Sequence, residues 1–94
     1  MQGLKKEIVV PEGVDYQARL DEANHEYFLY SAEAREDDAF ASDMYLGMFD
    51  ILMGYEGAYR EYFYMDDEHL IKTACDAVYF LKEKFEERIN QASV

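Results

Sequence analysis

From Tyr16 onward, apolar residues recur three and four positions apart: Leu20, Ala23, Tyr27, Tyr30 and Ala34. That spacing follows one face of an α-helix, because 3.6 residues complete a turn. Phe28 and Leu29 widen the face, and Asp15 just before it offers a side-chain oxygen to the free amides of the first turn. The pattern breaks at Glu36-Asp37-Asp38. Three adjacent acids suit a helix start better than a helix interior, so Asp37 or Asp38 is expected to cap a second helix.

The second helix is predicted from about Ala39 to at least Met53, with helical structure resuming from Ala58 to Tyr64. Ala41, Tyr45, Met48, Leu52, Tyr55, Tyr59 and Phe63 make one stripe, and Phe40, Met44, Phe49, Ile51 and Met53 lie beside it. A helix so apolar around its circumference is central, or is covered by a partner. Its least apolar line is Asp43, Gly47, Asp50, Gly54 and Gly57. Glycine inside a helix costs about 1 kcal/mol relative to alanine, so Gly54 and Gly57 together predict a kink.

Asp66 is expected to cap a third helix, with Asp67 and Glu68 in its first turn, where acids suit the helix dipole. Its apolar face is Leu70, Ile71, Ala74, Ala77, Val78, Leu81, Phe85 and Ile89, and Lys82, Lys84 and Arg88 complement the dipole near its end. The chain before Asp15 differs: the β-branched run Ile8-Val9-Val10 ends at Pro11-Glu12-Gly13, a turn signal. A lone strand is unstable, so this segment must lie on the helices or pair with a second copy. The expected architecture is all-α: a small three-helix bundle, or four-helix if the second helix kinks, with an extended N-terminal arm or short strand. Residues 1–14 form the arm, 15–90 the bundle and 91–94 a disordered tail.

Composition supports a single packed domain. Half of the 94 residues are apolar, including nine Tyr, six Phe and five Met, which is enough for one core and too little chain for two. The single cysteine, Cys75, cannot form an intramolecular disulfide and reads as a small core hydrophobe. A cytoplasmic setting follows as the expectation, since the apolar run at Ile8–Val10 is too short for a signal peptide and no stretch is long enough to span a membrane.

Charge changes the picture more. The net charge is −12, and the fifteen acids and three bases between Asp21 and Asp76 carry all of it; the ends are balanced. Direct binding to nucleic acid or to an anionic membrane needs a basic face, so neither is expected, whereas a basic protein is favoured as partner.

Candidate chemistry is sparse. No phosphate-binding glycine loop and no nucleophile elbow are present, and Cys75 has no histidine near it in sequence. Glu22 and His25 make a Glu-x-x-His step on the first helix, and Asp66 and His69 repeat the spacing. Such steps hold iron in di-iron bundles, but these sites need carboxylates from two further helices, and chance matches are expected in so acidic a chain. No cofactor and no catalytic residue are assigned, and a metal-binding bundle stands as the third reading.

The first reading rests on surface. Acids interleaved with tyrosines suggest steering of a basic partner by charge and retention by aromatic contact. The expected contact residues are Glu33, Glu36, Asp37, Asp38, Asp43 and Asp50 near the first turn, Tyr55 and Tyr59, and Asp66, Asp67 and Glu68 near the second. In size, charge and helix content the chain is similar to small acidic proteins that imitate nucleic acid, such as phage and mobile-element inhibitors of restriction or CRISPR effectors. That likeness implies an inhibitor of a basic nucleic-acid-binding protein. The alternative is a structural protein, a homodimer with the aromatic second helix at its interface.

Overall fold

The computed structural model describes residues 3–66 and 68–92. Among these residues the chain forms four α-helices and no strand: α1 Tyr16–Ala34, α2 Asp38–Met53, α3 Tyr59–Tyr62 and α4 Leu70–Ala92. The two caps expected at the first turns form. Asp15 accepts from the Ala18 amide at 3.0 Å, and Asp37 accepts from the amides of Ala39 and Phe40 at 3.0 and 3.3 Å.

α2 is the central helix, packed by α1, α3 and α4. Ala41, Met44, Leu46, Met48, Phe49 and Leu52 are buried on it. Phe49 meets Phe63 and Tyr62 edge-to-face, with ring centroids 4.9 and 5.4 Å apart. Each fully buried side chain of this size contributes roughly 1.5–3 kcal/mol. From the other side, α4 supplies Ala74, Ala77, Val78, Leu81 and Phe85. The start of α1 lies beside the far half of α4, where the Tyr16 and Phe85 rings meet at 4.9 Å. No described helix is long and apolar enough to cross a membrane.

The segment ahead of α1 lies on the bundle. Leu4, Ile8 and Val10 pack against the core. The Lys5 amide donates to the Tyr62 carbonyl at 2.7 Å and the Tyr64 amide to the Gly3 carbonyl at 3.0 Å, around one isolated antiparallel bridge between Leu4 and Phe63. Further along, Tyr16 donates its hydroxyl to the Pro11 carbonyl, and Arg88 pairs with Glu12 at 2.7 Å.

Three sequence expectations change. The glycines do not kink α2; they end it. Gly54 takes the left-handed conformation (φ 95°) and donates its amide to the Asp50 carbonyl at 2.8 Å, which closes the helix as a C-cap. The Asp50 carboxylate then accepts from the amides of Gly57 and Tyr59 at 2.8 and 3.0 Å, fixing the turn into α3. Second, α4 begins at Leu70, with the Thr73 amide donating to the His69 carbonyl, so Asp66 and Glu68 lie in the turn before it and Asp66 is not its cap. That turn carries the chain from the buried, extended Phe63 (φ −122°, ψ 146°) back to the bundle. Third, α4 continues through Gln91 and Ala92, the first half of the expected disordered tail; residues 93 and 94 lie outside the described residues.

Candidate protein interaction surface

The predicted acidic positions fall into two groups. Glu33, Glu36, Asp37 and Asp38 are exposed around the α1–α2 turn. Asp66 and Glu68 are exposed in the turn before α4. Folding places these two turns at one end of the bundle, because Asp38 and Glu68 line a common crevice with Ser42, Met65, Leu70 and Ile71. Asp67 lies outside the described residues.

From that end an acidic groove runs between α1 and α2. Asp43 and Glu26 face each other across its upper part, with Tyr30 and Phe40. Glu22, Asp50 and Glu56 line its lower part, with Gly47 on the floor. The α1 wall repeats at helical steps, Glu22 to Glu26 being four residues or about 6 Å along the axis. Gly47 leaves the floor open: a Cβ there would meet only Glu26 Oε1, at 4.0 Å. Arg19 is the basic side chain lining this groove, and its Nη1 is spent on the Leu52 carbonyl at 3.2 Å.

Some predicted residues already have work to do in the fold. Asp37 caps α2 and Asp50 clamps the turn, so their oxygens are partly occupied. Tyr55 is exposed at the lower mouth of the groove and donates its hydroxyl to Glu61. Tyr59 is half-buried against the core, and its hydroxyl accepts from Arg60 Nε at 3.3 Å.

Part of the aromatic stripe predicted for the second helix is inside. Tyr62 and Phe63 are buried against Phe49, and Tyr45 is half-buried. Exposed aromatic side chains lie on α1 and α4 and also just beyond α2 and α3: Phe28 is 78% exposed, Tyr79 54%, Tyr64 50%, Tyr55 47% and Tyr27 38%. Tyr27, Tyr79 and Cys75 surround the Tyr45 phenol closely enough to perturb it. Burial first, then a hydrogen bond with Cys75, pushes the Tyr45 hydroxyl up to about 12. Burial likewise raises Tyr79.

The metal candidates are not assembled. Glu22 and His25 are exposed on α1, and His69 Nε2 lies 3.3 Å from Glu68 Oε1 in the turn before α4. Among the described residues, no three His, Cys, Asp or Glu side chains converge on a metal-sized space.

The sequence does not single out Glu22, Glu26 or Glu56 as surface contacts; Glu22 stands there only as a metal candidate. The signal was present in part: Asp43, Gly47, Asp50 and Gly54, the least apolar line of the second helix, is the line that faces this groove. Comparison of the chain with protein-family models, with curated proteins and with solved structures returns no match.

Proposed function

We propose that this chain is a small acidic helical interaction module that binds a basic, nucleic-acid-binding protein and excludes nucleic acid from it. The reading fits an inhibitor of the anti-restriction or anti-CRISPR kind. One observation carries it: the carboxylates gathered at the end of the bundle continue as two facing rows, Glu22 and Glu26 on α1 and Asp43 and Asp50 on α2. Duplex DNA presents about one negative charge per 1.7 Å, and a basic site evolved for it is attracted by rigid rows of carboxylates. Helices hold the backbones that carry those rows in place, so ordering on binding is confined to the side chains.

The test is capture of proteins from cell extract by the intact chain, beside a variant carrying Glu22→Lys, Glu26→Lys and Asp43→Lys. A basic nucleic-acid-binding protein held at low salt, released by high salt or by added duplex DNA, and lost with the variant would support the proposal. A captured protein indifferent to the variant and to DNA would refute it.

A second reading, assembly of identical subunits, draws on the exposed Phe28. It moves the interface from α2, whose apolar residues are covered within the chain, to the α1–α4 side. Sedimentation of the wild type against Phe28→Glu decides it: a dimer dissociated by the substitution supports assembly, and a monomeric wild type removes it.

A further inference from the structure

We propose that the N-terminal segment is a docking edge for an extended acidic peptide, which would enter the groove beside α4 and add as a strand along residues 7–10. This inference concerns the opposite charge chemistry from the acidic groove and does not rest on it.

Four observations converge. First, the side chains alternate: Ile8 and Val10 pack inward, while Glu7 and Val9 point outward, Val9 being 65% exposed. That is the period of an extended chain lying on a surface. Second, pairing stops early. The amide of Lys5 is bonded to Tyr62, but among the described residues the backbone of residues 6–10 makes no hydrogen bond. Open amides and carbonyls on an extended segment are a template for an added strand.

Third, there is room for one. Leu4, Lys5, Lys6, Glu7 and Ile8 form one wall of a groove of about 430 Å³, and Ala77 and Phe80 of α4 form the other. Its apolar lining gives pockets for alternate side chains of a peptide, which is where such complexes obtain specificity. Fourth, the rim is cationic on a chain of net charge −12. Lys5 and Lys6 border the groove, with Lys5 Nζ bonded to the Arg60 carbonyl at 3.1 Å and Lys6 Nζ 4.6 Å from the Tyr62 ring centre, and Lys84 Nζ stands 5.6 Å from the Phe80 ring centre. Glu7 lines the groove too, and Glu87 lies 3.6 Å from Lys84, so the bias is modest and selects a peptide whose acids fall beside Lys6 and Lys84. A second copy of the arm fits less well, since it would bring Lys5 and Lys6 against the same lysine rim.

The experiment titrates the whole chain with a short peptide of alternating glutamate and valine, following binding by fluorescence anisotropy and the arm by amide hydrogen exchange. Three controls accompany it: the same peptide with its valine amides N-methylated, a lysine–valine peptide, and the Lys6→Glu/Lys84→Glu variant. Saturable binding is expected, with slowed exchange at alternate amides of residues 7–10, and with about tenfold weaker binding for each control. Equal binding of the N-methylated peptide would show charge attraction without strand pairing and overturn the proposal. So would unchanged exchange in the arm, or arm protection that rises with protein concentration in the absence of peptide, which would mean that a second copy covers the edge.

Discussion

Arg19 and Gly54 meet where α1 crosses the end of α2. The guanidinium stands 2.6 Å from the position that a Cβ on Gly54 would take, and its Nη1 bonds the Leu52 carbonyl in the last turn of α2. A cation at a helix C-terminus, bonded to a carbonyl that the helix leaves open, is favourable on both counts. Gly54→Ala therefore meets two costs: a left-handed backbone with a side chain, roughly 1–2 kcal/mol, and displacement of the Arg19 bond, of order 1 kcal/mol. The expected loss is about 2–3 kcal/mol by urea unfolding. Arg19 is flexible at its far end, so in an Arg19→Ala background the same substitution should cost only the backbone part, and an equal cost in both backgrounds would separate the two residues.

Asp50 holds the turn that follows. Its two oxygens accept from the amides of Gly57 and Tyr59, both part-buried bonds. Asp50→Ala leaves both donors without that acceptor and should cost about 2–3 kcal/mol, whereas Asp50→Asn keeps one acceptor oxygen and should cost about half as much. If Asp50→Ala unfolds with the wild-type midpoint, the turn is set by its glycines and not by this carboxylate.

Asp37 separates capping from recognition. It caps α2, and it also belongs to the acidic end proposed to meet a basic partner. Serine caps as well as aspartate, so Asp37→Ser should change stability by only a few tenths of a kcal/mol while removing a charge, and Asp37→Ala should cost about 1 kcal/mol. Capture of the basic partner is expected to weaken in both. Retention by Asp37→Ser would confine this residue to the helix cap.

The helices and two caps were legible because local rules fix them: Asp15 and Asp37 stand directly before apolar runs of period 3.6. The end of α2 was not. A glycine pair reads equally as a kink or a cap, and what decides is Asp50 reaching forward to Gly57 and Arg19 arriving from 35 positions upstream. The candidate surface was half legible for the same reason. Clusters such as Asp37-Asp38 are visible along the chain, but their meeting with Glu68, and the facing of Glu26 and Asp43, depend on how helices pack. The burial of Tyr62 and Phe63 has the same origin, since Phe49 of α2 and Lys6 of the arm cover them from distant parts of the chain.

Phe49 and Phe28 make a paired test of core against surface. Phe49 is fully buried between Tyr62 and Phe63, so Phe49→Ala should lose about 3–5 kcal/mol and Phe49→Leu clearly less. Phe28 is largely in solvent, so Phe28→Ala should leave the unfolding midpoint within about 0.5 kcal/mol of wild type. A large loss at Phe28 measured at high protein concentration, absent on dilution, would identify it as an assembly contact.

Tyr45 predicts how the protein responds to alkali. Its hydroxyl is raised from 10.0 to about 12, first by burial and then by the hydrogen bond with Cys75, with the Tyr79 and Tyr27 phenols adding to it. A raised value means that the folded state holds its proton more tightly than the unfolded chain does. The associated stability is complete below the unfolded value near 10 and is lost as pH rises towards about 12. Because solvent screens this half-buried group, the stability at stake is about 1 kcal/mol. Other phenols and lysines titrate in the same window, so the readout is the difference between wild type and Tyr45→Phe in unfolding free energy against pH. The wild type should fall more steeply. Cys75→Ala should keep most of that slope, since burial is the larger cause, and parallel curves for wild type and Tyr45→Phe would show that this phenol does not couple to folding.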